Sequence, residues 1–347
     1  MNALGSQKRK SFRKLESRLG SKIRDRTYAG AIVFAPAFFQ NQPQQIVVFS
    51  HGIRSQNLTA WISQLFFMIK FRPNDNCNPG DIKTMQSQHL QNLVDTQNLP
   101  DHREVAIDRV GVRNLRFPIQ VRDKAHATQN TVATVTLTVD LPHQFKGTHM
   151  SRFVEVLNEH GSLIHVDNIK DILRDLQERL NSKQAHVEFE FPYFIEKRAP
   201  VSKAVGLMDY SVQLAATATH EDTDFVVTVV VPVTTLCPCS KAISQHGAHN
   251  QRSQVTFAVR FTKRIWIEDL IQLVESSASS ELYSLLKRPD EKAVTEHAYE
   301  HPVFVEDLVR SIAVKANADP RIAWYRVEAE NYESIHNHNA YAMIEKG

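Results

Sequence analysis

The chain has 347 residues, 42% of them hydrophobic and 23% charged, with a formal net charge of +3. That length supports one large domain or two modules with a full buried core, and the near-neutral balance gives no ground for a nucleic-acid partner. Three cysteines, at 77, 237 and 239, exclude a disulfide framework and fit a reduced, cytoplasmic setting where such thiols serve as metal ligands or nucleophiles.

No apolar run reaches the length of a membrane span; residues 29–39 and 61–69 come nearest and are too short. The basic opening, Lys8-Arg9-Lys10 with Arg13, Lys14 and Arg18, lacks the apolar run and cleavage site of a targeting segment. Residues 1–84 carry no chemical motif and include the turn-rich stretch 74–80. They read as an extension of unknown role, or as sequence upstream of a true start at Met85.

Regular patterns begin after Val105. Residues 110–121 and 131–141 alternate apolar and polar side chains, as half-buried antiparallel strands do. Helical periodicity follows at 150–159 and 166–180, then strand patterns at 186–195 and 210–219. A similar order starts again with strands at 225–233 and 254–261. Helices are expected at 267–276, 280–286 and 303–315, and strands at 323–329 and 340–344. The expected architecture is α+β, with antiparallel strands and helices packed on one face, divided into modules 85–220 and 221–347. No glycine fingerprint follows a strand, so neither a dinucleotide fold nor a P-loop is supported.

The densest chemical cluster is Thr235-Leu236-Cys237-Pro238-Cys239-Ser240-Lys241, followed by Ser244, His246, His249, Asn250 and Arg252. Thiolate and imidazole are ligands that zinc prefers, and twelve residues between Cys237 and His249 let a loop join them. The spacing alone is not diagnostic, because Cys-Pro-Cys is no zinc-finger pair; a structural cysteine among surface histidines fits it equally. A second cluster holds Glu333, His336, His338 and Asn339, with both imidazoles on one face if the stretch is extended. Glu291 and Glu296 fall in a charged stretch that reads as a solvated loop. Glu306 opens an expected helix, where a carboxylate complements the dipole and is also suited to accept guanine N–H groups. Asp95, Arg103, Lys146, His149 and Arg152 are candidate phosphate partners.

Several of these segments recur in order in one family. They are Asp101-His102-Arg103-Glu104 leading to Val110-Gly111-Val112, residues 146–153 (KGTHMSRF), and Leu236-Cys237-Pro238-Cys239-Ser240-Lys241. Residues 247–253 (GAHNQRS), 286–292 (LKRPDEK) and 331–338 complete the set. From about Asp95 to the C-terminus the sequence resembles the type IB GTP cyclohydrolases. The resemblance implies a tunnelling fold of two fused modules and a homotetramer with active sites at subunit interfaces. It implies conversion of GTP and water to 7,8-dihydroneopterin triphosphate and formate, on the way to tetrahydrofolate and queuosine. It also implies a divalent metal (zinc, manganese or magnesium) held by Cys237, His249 and Glu291, whose water attacks guanine C8. On the same basis Glu306 anchors the purine, Glu333, His336 and His338 face the site, and the two histidines move protons. Lys241 and Arg252 are expected to hold the triphosphate. Two rivals remain at this level: a non-catalytic metal- or nucleotide-binding protein, and a nitrile reductase of the same fold using a cysteine nucleophile. The latter's Glu-Ser-Lys-Ser motif is absent.

Overall fold

The computed structural model describes residues 95–164 and 166–347, so the readings made for residues 1–84 lie outside the described residues. β1 (Ile107–Asp123) and β2 (Ala127–Leu141) form a long hairpin, followed by α1 (Met150–His160), the short β3 (Leu163–Ile164) and α2 (Val166–Leu180). β4 (Ala185–Arg198) and β5 (Val205–Ala218) form a second hairpin. β6 (Thr223–Leu236), α3 (Pro238–Ile243), β7 (Asn250–Phe261), α4 (Ile267–Glu275) and the short β8 (Ser280–Glu281) come next. α5 (Arg288–Glu300), α6 (Val305–Ala318), β9 (Ile322–Asn331) and β10 (Ala340–Lys346) complete the chain.

The strands make one sheet in the order β10-β9-β7-β6-β5-β4-β2-β1-β3, with β8 added to β6. Every pairing is antiparallel except β1 with β3. Strand alternation decides which face is covered. Val135, Leu137, Val187, Phe189, Val212, Val229, Phe257 and Val327 point one way and are fully buried. Phe153 and Leu157 of α1, Ile172 and Leu176 of α2, Leu270 of α4 and Ile312 of α6 close over them in one continuous core. Each such side chain contributes about 1.5–3 kcal/mol by leaving water. The sheet therefore carries helices on one face, as the patterns predict. No helix among the described residues is long and apolar enough to cross a membrane.

Two expected elements differ. Residues 280–286 are not helical: Ser280 and Glu281 pair with β6, and Glu281 is held by Lys197 and Tyr283. These tertiary partners override local helix preference. The charged stretch around Glu291, read as a loop, is the start of α5. Pro289 lies in its first turn, and the Asp290 carboxylate accepts the backbone N–H of Lys287. Only Asp290 and Ala298 of that helix are buried, so it has no apolar stripe for periodicity to detect.

α4 is fastened to the β4–β5 hairpin by buried polar groups. Tyr193 and Tyr210 are register partners, and their hydroxyls donate to Glu268 (2.8 Å) and Glu275 (2.6 Å), two helical turns apart. The Lys197 ammonium bonds Glu275 at 2.7 Å and also pairs with Glu281, which accepts from Tyr283 at 2.6 Å. Burial pushes the Glu275 carboxyl up, against the pull of Lys197 and Tyr210. Burial raises Glu281 as well, but Lys197 and Tyr283 outweigh it and hold that carboxyl low. Lys124 of the β1–β2 turn adds a backbone bond to Glu268 and an ion pair to Asp269.

Candidate active site

Cys237 directly follows β6 and caps the short α3. Its N–H donates to the His249 carbonyl at 3.1 Å, which brings the two ends of the 237–249 loop together. Ser240 reinforces that closure: its hydroxyl donates to the Cys237 carbonyl and accepts from His249 N–H, each at 3.2 Å. The Cys237 thiol is half-buried and meets the Ser240 N–H at 3.5 Å, whereas Cys239 is exposed.

The imidazole of His249 stands among oxygens. Nδ1 lies 3.1 Å from Gln251 Oε1, 3.5 Å from Ser334 Oγ and 3.9 Å from Glu333 Oε2. Gln251 passes the contact inward, donating to Thr235 Oγ1 at 3.1 Å, which lies 2.8 Å from Ser253 Oγ. Thr235 and Ser253 are fully buried. Glu333 arrives from the end of β9, where Tyr332 N–H donates to the Arg252 carbonyl at 2.9 Å. Glu333 Oε2 is buried and has no hydrogen-bond partner, and neither has Asn331 Oδ1, opposite Ser253 in the β7–β9 register.

Orphaned buried oxygens cost stability unless something binds them. A half-buried thiol, an imidazole and a carboxylate whose oxygen lacks a partner are a donor set that suits a divalent cation. The residues present therefore fit such an ion. Among the described residues, however, no group of three or more His, Cys, Asp and Glu side chains is gathered closely enough to enclose one. Glu291 is exposed in the first turn of α5 and enters none of the contacts of Cys237 or His249.

The remaining candidates distribute around the same sheet end. Val303 N–H donates to the Leu236 carbonyl at 3.0 Å, which sets the start of α6, with exposed Glu306 in its first turn, beside Cys237. Lys241 lies 4.4 Å over the Tyr299 ring and donates to the Tyr299 carbonyl, so its ammonium is engaged by α5. Arg252 is exposed on β7 opposite Thr234. His336 and His338 do fall together, but their rings stack on each other at 5.3 Å within a bend rather than projecting from an extended strand.

The candidate phosphate residues lie elsewhere. His149 caps α1 and pairs with Asp95 at 3.0 Å, Arg103 pairs with Asp101, and Arg152 donates to the Arg179 carbonyl at 3.1 Å. The segment with Lys146 and His149 follows the end of β2. Through the β2–β4, β4–β5 and β5–β6 registers that end aligns with the start of β6, not with its end at Leu236. The two groups are separated by the fourteen residues of β6, roughly 40 Å along the strand at about 3.3 Å per residue.

Gln251, Thr235 and Ser253 stand within the quoted sequence motifs but were given no role there. The signal was present: alternation from Val259, Phe257 and Val255 back along β7 aims Ser253 and Gln251 at the core, where polar side chains need a reason.

Residues 93–342 match the family model described as type I GTP cyclohydrolase folE2. A GTP cyclohydrolase FolE2 of Akkermansia muciniphila is 61% identical over 260 residues, covering 74% of this chain and 98% of that protein. Those of Syntrophus aciditrophicus and Magnetococcus marinus are 57% and 53% identical, covering 73% and 74% of this chain and 100% and 96% of theirs. Among solved structures, uricase from Arthrobacter globiformis aligns over 69% of this chain and 92% of its own with 9% identity and a TM-score of 0.39, too loosely to bear on function.

Proposed function

Because the chain belongs to the type I GTP cyclohydrolase FolE2 family, we propose that the sheet end around Cys237, His249 and Glu333 is where it opens the guanine ring of GTP. The protein is a GTP cyclohydrolase, a hydrolase of folate biosynthesis. The reaction takes GTP and water to 7,8-dihydroneopterin triphosphate and formate, which balances without a further reactant. The observation that carries the siting is Glu333 Oε2, buried without a hydrogen-bond partner 3.9 Å from His249 Nδ1.

Cys237, His249 and Glu291 would hold a divalent cation (zinc, manganese or magnesium), with Glu333 as a further oxygen donor. Such a cation, when bound, supplies an activated water at neutral pH for attack on guanine C8. The chain's own groups do the rest. Glu306 accepts the guanine N–H groups, and its place beside Cys237 suits a base bound between α6 and the end of β6. Arg252 is the better placed cation for the triphosphate, since Lys241 must first leave Tyr299. His336 and His338 exchange protons with N7 and with the departing ring nitrogen, a role that suits imidazoles near neutral pH. Formate leaves, the ribose rearranges and the ring recloses.

The reading extends to a cytoplasmic homotetramer of two-module tunnelling-fold chains. The repeated order of hairpin, helices and hairpin supports two modules. The roughly 40 Å along β6 between the His149 group and the Cys237 group supports sites assembled from more than one chain. Turnover by chelator-treated protein, with zinc, manganese or magnesium restored separately, tests the whole reading. Both oxidised-pterin fluorescence and formate should return with metal. Folded protein that binds GTP yet yields neither product with any metal would overturn it.

A further inference from the structure

Glu291 projects from the first turn of α5, and its neighbour Asp290 is fully buried. The Asp290 carboxylate accepts four hydrogen bonds. Oδ1 takes the N–H groups of Val201 (2.8 Å) and Ser202 (2.7 Å), and Oδ2 takes the Ser202 hydroxyl (2.6 Å) and Lys287 N–H (2.8 Å). Only the Lys287 bond belongs to helix capping. The other three reach back 88 or 89 residues to the turn between β4 and β5 and do nothing for helix formation in itself. They fix where the helix begins relative to the sheet. At its other end α5 is held by Lys241, which sits on Tyr299 and belongs to the helix that Cys237 caps.

We propose that Asp290 is a positioning residue for the metal site: by locking the first turn of α5 onto Val201 and Ser202, it sets the backbone from which Glu291 reaches the ion. The inference rests on the reading of Glu291 as a metal ligand. A carboxylate without direct contact to the ion then governs affinity by fixing a ligand's origin, as groups behind metal ligands do elsewhere. Ser202 shares the task, since it supplies two of the four donors.

The test uses the full chain, stripped of metal and titrated with cobalt(II), whose thiolate charge-transfer band reports Cys237. Asp290→Asn should weaken cobalt binding about tenfold or more and keep the band at saturation. Asp123→Asn removes a comparably buried carboxylate that accepts the amides of Ala125 and His126 at the β1–β2 turn. It should lower stability and leave cobalt affinity unchanged, which separates positioning from general loosening. Glu291→Gln checks the underlying reading: wild-type affinity there would remove the ligand assignment and the proposal with it. Weakened binding by Glu291→Gln beside wild-type binding by folded Asp290→Asn would overturn the positioning role alone. Should Asp290→Asn fail to fold, Ser202→Ala decides. It deletes one long-range bond and spares the Lys287 cap, so a loss of about twofold to tenfold is expected, and no loss would overturn the proposal.

Discussion

Two regions of this sheet bury charge in opposite ways. At the seam between α4 and the β4–β5 hairpin, Lys197, Glu275, Glu281, Tyr210 and Tyr283 answer one another, although the buried Glu268 Oε2 there has no hydrogen-bond partner. Where the sheet bears Cys237 and His249, Glu333 Oε2 and Asn331 Oδ1 are buried without a hydrogen-bond partner. A closed network rigidifies and specifies a core, whereas open buried acceptors lower stability until a ligand satisfies them. Function and stability are thus assigned to different side chains at one end of the sheet, for Glu281 pairs with Val233 of β6, three residues short of Leu236, and substitutions should separate them.

The largest effect is expected where the open region is emptied of its donors. Cys237→Ala or His249→Ala should abolish formate release while the thermal midpoint stays near wild type; full turnover in either would remove the site from this end of the sheet. Next comes the seam. Glu275→Gln leaves the Lys197 ammonium, largely buried, with one carboxylate fewer and should cost roughly 3–5 kcal/mol in urea unfolding, with turnover per folded molecule retained. Glu333→Gln should cut turnover roughly tenfold to a hundredfold and leave urea stability unchanged or higher. A drop in both would make Glu333 a structural residue like Glu275. The smallest effect concerns acid. Burial alone would raise the Asp290 carboxyl, but the Ser202 hydroxyl and the amides of Ser202, Lys287 and Val201 hold it well below its ordinary 3.8. A carboxyl depressed on folding contributes stability above its unfolded value and loses it as pH falls toward the folded one. Urea midpoints of the wild type should therefore decline below about pH 4, and those of Asp290→Asn should decline less.

The β hairpins were legible because one face of each strand is apolar at period two, and α2 and α6 because their apolar residues recur at helical spacing. Those signals come from burial, and they fade where burial does. α5 buries little, so its charged sequence passed for a loop. Residues 280–286 passed for a helix because the partners that straighten them, Lys197 on β4 with Val233 and Thr234 on β6, lie far away in sequence. Within the site, motif spacing drew attention to Cys237 and His249, and the fold joins them through Ser240. What no local pattern conveyed is that Glu333 comes to His249, since that depends on how β9 is carried by the rest of the sheet. Gly111 marks a similar long-range demand: a Cβ there would stand 2.0 Å from the Leu137 carbonyl oxygen of the neighbouring strand.

The pairing of β5 with β6 also has a consequence for synthesis. Strands β1, β2, β4 and β5 find their neighbours among residues already made, yet β5 presents an open edge until β6 emerges. At about 5–20 residues per second, the fourteen residues of β6 take on the order of one to three seconds to appear. During that interval the nascent chain offers a row of unpaired amides and carbonyls to any extended segment nearby. Translation speed across residues 219–236, rather than the final stability of the sheet, then governs how many chains mispair before they are complete.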